Sequence, residues 1–133
     1  MEFSSLVIME KDKETGFLTR ELGSYEVNEG AEYVKKLYES QGKVALVFDT
    51  KRDVEEWEFS AIYDLFPYEI FKDKGIDIED IDDEYNPTWK ITLDYKEEHN
   101  PMKEDLNQIC YLIEEAILES FKRIEGKEAE YVE

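Results

Sequence analysis

Asn100–Gly126, NPMKEDLNQICYLIEEAILESFKRIEG, is the stretch whose reading decides the fold. Met102, Leu106, Ile109, Cys110, Ile113, Ala116, Ile117, Phe121 and Ile124 recur at spacings of three and four, which lays them along one face of a 3.6-residue repeat. Asn100 reads as the N-cap. Pro101 then falls at the first helical position, where its missing donor costs nothing. Gly126 reads as the C-cap, with Lys122 and Arg123 in the last turn, where cations suit the helix dipole. A helix this long with one wide apolar face needs a large surface to pack on, and the strands that precede it are the candidates. On its opposite side Tyr111 and Leu118 lie seven residues apart, surrounded by Glu104, Glu115 and Lys122. That spacing makes them one outward ridge and a candidate partner face.

Working outward, Thr88–Lys96 alternates cleanly. Trp89, Ile91, Leu93 and Tyr95 point one way, while Thr88, Lys90, Thr92, Asp94 and Lys96 point the other, the signature of a half-buried strand. Lys43–Asp49 is apolar on both faces through Val44–Phe48, which predicts a central strand. Phe3–Glu10 and Phe17–Val27 read as a hairpin across the polar Lys11–Gly16 connection, with Gly23 marking a bulge or bend. Asn28 reads as the cap of a short helix, with Glu29 and Glu32 in its first turn. Tyr33, Val34, Leu37 and Tyr38 form its apolar face, and Gly42 closes it.

Residues 53–66 fit two readings. As a helix, Asp53 and Glu56 form a capping box; as a strand, Trp57, Phe59, Ala61 and Tyr63 alternate with Glu58, Ser60, Ile62 and Asp64. The aromatic density and the turn-like Asp49–Asp53 connection favour the strand. Pro67 then opens a short helix that stops at Gly75, and residues 76–86 form an acidic loop. The order is ββαββ(α)βα. It predicts an α+β fold with a largely antiparallel sheet of about five strands, helices packed on one face and a long C-terminal helix. Residues 1–126 read as a single domain, and residues 127–133 as a frayed tail.

The chain carries 16 basic and 35 acidic residues among 133, a net charge of −19. Phosphate backbones and anionic lipid surfaces are repelled by such a chain, so neither nucleic acid nor a membrane is expected as a partner. A basic protein, a cationic ligand or a divalent metal is attracted. The one cysteine, Cys110, has no partner for an internal disulfide, and its place on the apolar helix face suits an inert thiol in a reducing compartment. Met1–Ser5 carries an acid and no basic leader pattern. Apolar runs such as Leu6–Met9 and Val44–Phe48 are too short to span a bilayer. A cytoplasmic protein is expected.

Chemistry-bearing residues are sparse. His99 is the single histidine and has no cysteine or second histidine to act with. Cys110 has Leu106, Ile109 and Ile113 as helix neighbours, not the electropositive setting a nucleophile needs. The loop holds Asp77, Glu79, Asp80, Asp82, Asp83 and Glu84, oxygens that hard cations favour. However, it lacks the sixth-position Gly of an EF-hand, and Ile78 and Ile81 interrupt the ligand run. No Gly-rich phosphate loop, GxSxG, HExxH or CxxC is present. No catalytic residue, cofactor or metal ligand is therefore assigned. The reading that fits best is a non-enzymatic, acidic protein-interaction or regulatory module, binding another protein or a second copy of itself through Tyr111 and Leu118. The alternatives are an acidic decoy that mimics nucleic acid toward a basic partner, and a carboxylate-based metal binder or enzyme.

The stretch Phe48–Phe66, FDTKRDVEEWEFSAIYDLF, resembles a segment of an uncharacterised family of small acidic bacterial proteins. The resemblance implies a bacterial, cytoplasmic protein and brings no function and no site residue.

Overall fold

In the computed structural model, which describes residues 4–132, six strands form one sheet. They are β1 (Ser4–Lys11), β2 (Leu18–Val27), β3 (Val34–Ser40), β4 (Lys43–Asp49), β5 (Asp77–Ile81) and β6 (Thr88–Asp94). The order across the sheet is β2-β1-β3-β4-β6-β5. Every neighbouring pair is antiparallel except β1 and β3. The helices are α1 (Glu56–Leu65), α2 (Glu69–Lys72), α3 (His99–Ile124) and α4 (Glu128–Tyr131), with a 3-10 turn at Ala31–Tyr33. The fold is α+β, mostly antiparallel, with the long helix near its C-terminal end. Phe3, the first residue of the predicted first strand, lies outside the described residues.

β4 is central, and six of its seven residues are buried. Its Val44, Leu46 and Phe48 join Ile8 of β1, Trp89 and Ile91 of β6, and Met102, Leu106, Ile113 and Ile117 of α3 in one core cluster. Phe48, Phe66, Phe71 and Trp89 stack within it; Phe66 and Trp89 have ring centroids 4.2 Å apart. Gly23 does sit at a bulge: β1 pairs Ile8 with Gly23 and Met9 with Glu21, leaving Leu22 unpaired on the longer strand. Among the described residues, no helix is long and apolar enough to cross a membrane.

Four predicted elements differ. The short helix from Asn28 is the 3-10 turn followed by β3. Val34, Leu37 and Tyr38 match helical spacing, but β3 finds ladder partners on both sides, in β1 and β4. Gln41 and Gly42, at φ 53 and 83, make the two-residue hairpin that joins it to β4. Asn28 caps nothing there; its N–H donates to Oδ1 of Asn107 on α3 at 3.0 Å.

Residues 53–66 are not a strand but lead into α1. The capping residues lie two further on than the Asp53/Glu56 pair: the Glu55 N–H donates to Oε1 of Glu58 at 2.9 Å. Alternation of aromatics misled, because the core side of this segment is Ala61, Ile62 and Phe66. The acidic stretch 76–86 is not all loop. Asp77–Ile81 pairs with β6 as an edge strand guarded by its charges.

The long helix starts at His99 with Glu98 as N-cap, so Pro101 falls at the third position. It is tolerated there because the first-turn N–H groups have no intrahelical acceptor in any case. Past Gly126, at φ 77, the chain continues into α4. Tyr131 is half-buried against the core and its hydroxyl bonds Asp64 at 3.0 Å.

Candidate functional site

The core side of the sheet carries α1, α2 and α3, and the cross-strand register sends a second set of residues to the other face. Tyr38 pairs with Ala45, Lys36 with Val47, and Val47 in turn with Lys90. Met9 lies beside Tyr38 across the parallel β1–β3 pair. Ala45 and Val47 are buried although they belong to this side. Tyr38 and Thr92 flank Ala45 across the strands, and Lys36 and Lys90, whose aliphatic stems can cover apolar surface, flank Val47.

This face holds a cleft of about 640 Å³. Its floor includes Met9, Leu18, Tyr38 and Val47, and Gly16 and Glu84 bring the β1–β2 and β5–β6 turns to its edge. Lys11, Lys35, Lys36 and Lys90 all line it. Lys35 is the residue left over where the β3–β4 register shifts, and this bulge lets adjacent lysines serve one cleft. The Lys11 ammonium stands 4.5 Å above the Tyr38 ring. Lys90 is ion-paired with Glu79 at 3.5 Å. Lys35 and Lys36 have no ion pair among the described residues. Acids outnumber bases 35 to 16 in the chain, yet the lining of this cleft holds four lysines and one acid, Glu84, with Glu79 beside it paired to Lys90.

The outward ridge of α3 is a second surface. Tyr111 is 48% and Leu118 60% exposed. Ile70 of α2 lies next to Leu118, and Lys122 and Arg123 flank it. Glu115, between the two ridge residues, pushes the Tyr111 phenol above its ordinary range by hydrogen bonding and charge. Nearby, partial burial and the charges of Glu32 and Glu29 raise the Glu114 carboxyl. The middle of α3 is therefore an acidic surface with an apolar centre.

The family comparison covers both surfaces, since its match runs over residues 1–132. The chain belongs to DUF6762, a family of unknown function. No curated protein and no solved structure matches it. The DUF6762 chain must therefore be read from its own geometry.

The other sequence candidates fall elsewhere. His99 is exposed at the start of α3 and stacks on Tyr25, centroids 5.0 Å apart. Cys110 is buried, and that burial pushes its thiol up to about 12, the opposite of what a nucleophile requires. Asp77 and Glu79 alternate with Ile78 and Asp80 along β5, so the acids point to two faces. Among the described residues no three His, Cys, Asp or Glu side chains gather as a metal site. The sequence reading missed the lysine cleft. Its one visible trace was Lys90, on the polar face of an alternating strand.

Proposed function

We propose that this DUF6762 protein is a non-enzymatic protein-interaction module of the bacterial cytoplasm that docks a partner through the outer ridge of α3. The observation that carries this reading is the exposure of Tyr111 and Leu118, 48% and 60%, on the one long helix of the fold. Aromatic anchors are enriched where protein surfaces meet, and apolar side chains ringed by charge suit a contact whose centre dries on binding. Glu114 and Glu115 beside the ridge, and the overall charge of −19, select a partner with a basic rim over a second copy of this acidic chain. A lone, buried, unpaired thiol suits the reducing cytoplasm.

The test is Leu118→Lys. Losing a central anchor costs about 2 kcal/mol of binding or more, close to thirtyfold in affinity, so the variant should lose the partner retained by wild type. Circular dichroism and melting temperature should stay unchanged. If sedimentation instead finds a wild-type dimer that Leu118→Lys dissociates, the occupant is a second copy. Unchanged association would remove the ridge as an interface, and unfolding would show that Leu118 is structural.

A further inference from the structure

We propose that the cleft on the open face of the sheet binds a small organic anion with a flat apolar body, such as an aromatic carboxylate, sulfonate or phosphate ester. The lysines gather against the composition of the chain. A solvated face of this protein would be expected to carry about two acids for every base, and here the cleft lining holds four bases and one acid, or two acids with the Glu79 that pairs Lys90. They also reach the cleft from three different strands: Lys11 from β1, Lys35 and Lys36 from β3, and Lys90 from β6. Bringing like charges together is unfavourable unless an anion is shared between them, and Glu79 answers only Lys90. Ammonium groups are compact, flexible donors, suited to anionic groups of varied shape.

The floor is apolar, with Val47 at 8% exposure and Leu18 at 53%. The volume, about 640 Å³, lies within the range of roughly 300–1,000 Å³ usual for small-ligand sites. Size and charge together exclude a polyanion. A nucleic acid strand long enough to engage the lysines would run past the cleft onto a surface whose net charge is −19. An anion confined to the cleft meets four lysines against one lining acid, Glu84.

The experiment is a fluorescence titration of the full chain with anilinonaphthalene sulfonate, an aromatic anion of this class, at physiological ionic strength. Binding at one site per chain is expected. Lys36→Gln combined with Lys90→Gln keeps the first part of each aliphatic stem and a polar end, and removes two charges; it should weaken binding by about tenfold or more. Lys72→Gln with Lys74→Gln makes the same change in net charge elsewhere and should leave binding intact. Uncharged phenylnaphthylamine should bind far more weakly and be indifferent to both variants. Lys35→Gln, at an exposed bulge, repeats the test should the cleft double variant unfold.

The proposal is overturned by absence of binding, by equal binding to the cleft variant, or by an equal loss in the Lys72/Lys74 control. Tight binding of the uncharged dye would reduce the site to an apolar crevice. Displacement of the sulfonate by an oligothymidylate at comparable concentration would overturn the restriction to small ligands.

Discussion

Gly30 lies directly against the backbone of Cys110. A Cβ built on Gly30 would stand 2.0 Å from the Cys110 carbonyl oxygen, and Gly30 itself has φ 84. The crossover from β2 to β3 passes the start of β1 at this point and touches the middle of α3, so the neighbour that would have to yield is main chain. Gly16, at φ 76, has nothing within 4 Å of its Cβ position. The pair separates strain from collision. By urea denaturation, Gly30→Ala should cost about 3 kcal/mol or more and Gly16→Ala about 1 kcal/mol. Equal costs would show that the contact with α3 is not tight.

Tyr63 ties α1 to the β5–β6 hairpin. Its hydroxyl donates to the Ile81 carbonyl at 2.8 Å and accepts the Thr88 N–H at 2.9 Å. Tyr63→Phe leaves both backbone groups without that partner and should cost about 1–3 kcal/mol, with faster hydrogen exchange at the Thr88 amide. Tyr111→Phe, at an exposed site, should change stability by less than about 0.5 kcal/mol. A Tyr63→Phe cost equally small would mean that water replaces the hydroxyl freely.

Alkaline pH should loosen the fold through two groups. Burial raises the Cys110 thiol from 9.0 to about 12 and the Tyr63 phenol from 10.0 to about 12. For a group raised in the folded state, the folded chain holds the proton more tightly than the unfolded one. The stabilisation is therefore complete below the unfolded value and is lost as pH climbs toward the folded one. Melting temperature should fall progressively between pH 9 and 12, and Cys110→Ala should flatten the part between 9 and 10. Ellman's reagent should label Cys110 in urea and not in the native protein. Rapid native labelling at pH 8 would contradict the burial.

Burial and repulsion at the middle of α3 give a carboxylate the same sign, contrary to an ion-paired one. Partial burial, then Glu32 and Glu29, raise Glu114 above its ordinary 4.5. Its contribution is therefore favourable below the unfolded value and lost as pH rises through the folded one, so the ionised form is a burden at neutral pH. Glu114→Gln should raise the melting temperature at pH 7 and bring no gain once the native carboxyl is protonated. Added NaCl should raise the wild-type melting temperature and narrow the difference, because screening acts over about 8 Å at physiological ionic strength. A variant less stable at pH 7 would mean that Glu114 makes an attractive contact that outweighs this repulsion.

What the sequence by itself determined is what one segment can decide alone. Period 3.6 over the length of α3 separates Ile113 from Tyr111 and Leu118 whatever the rest of the chain does, so the buried face and the outward ridge were both legible. The doubly apolar run Val44–Phe48 announced a central strand for the same reason. Shorter stretches were not self-sufficient. Val34, Leu37 and Tyr38 fit one face of a helix and fall on both faces of a strand, and only the ladder to β4 and the Gln41–Gly42 turn chose between them. In Glu55–Phe66 the strand-like alternation of aromatics lost to a Glu55–Glu58 cap and to the side of α1 that meets the core. The cleft belongs wholly to the tertiary structure. Lys11, the adjacent Lys35 and Lys36, and Lys90 come from three separate stretches of sequence, and they face one space only because strand order, register and one bulge place them there. Electrostatic repulsion and attraction act through space, and the distances they depend on exist only once the sheet has formed.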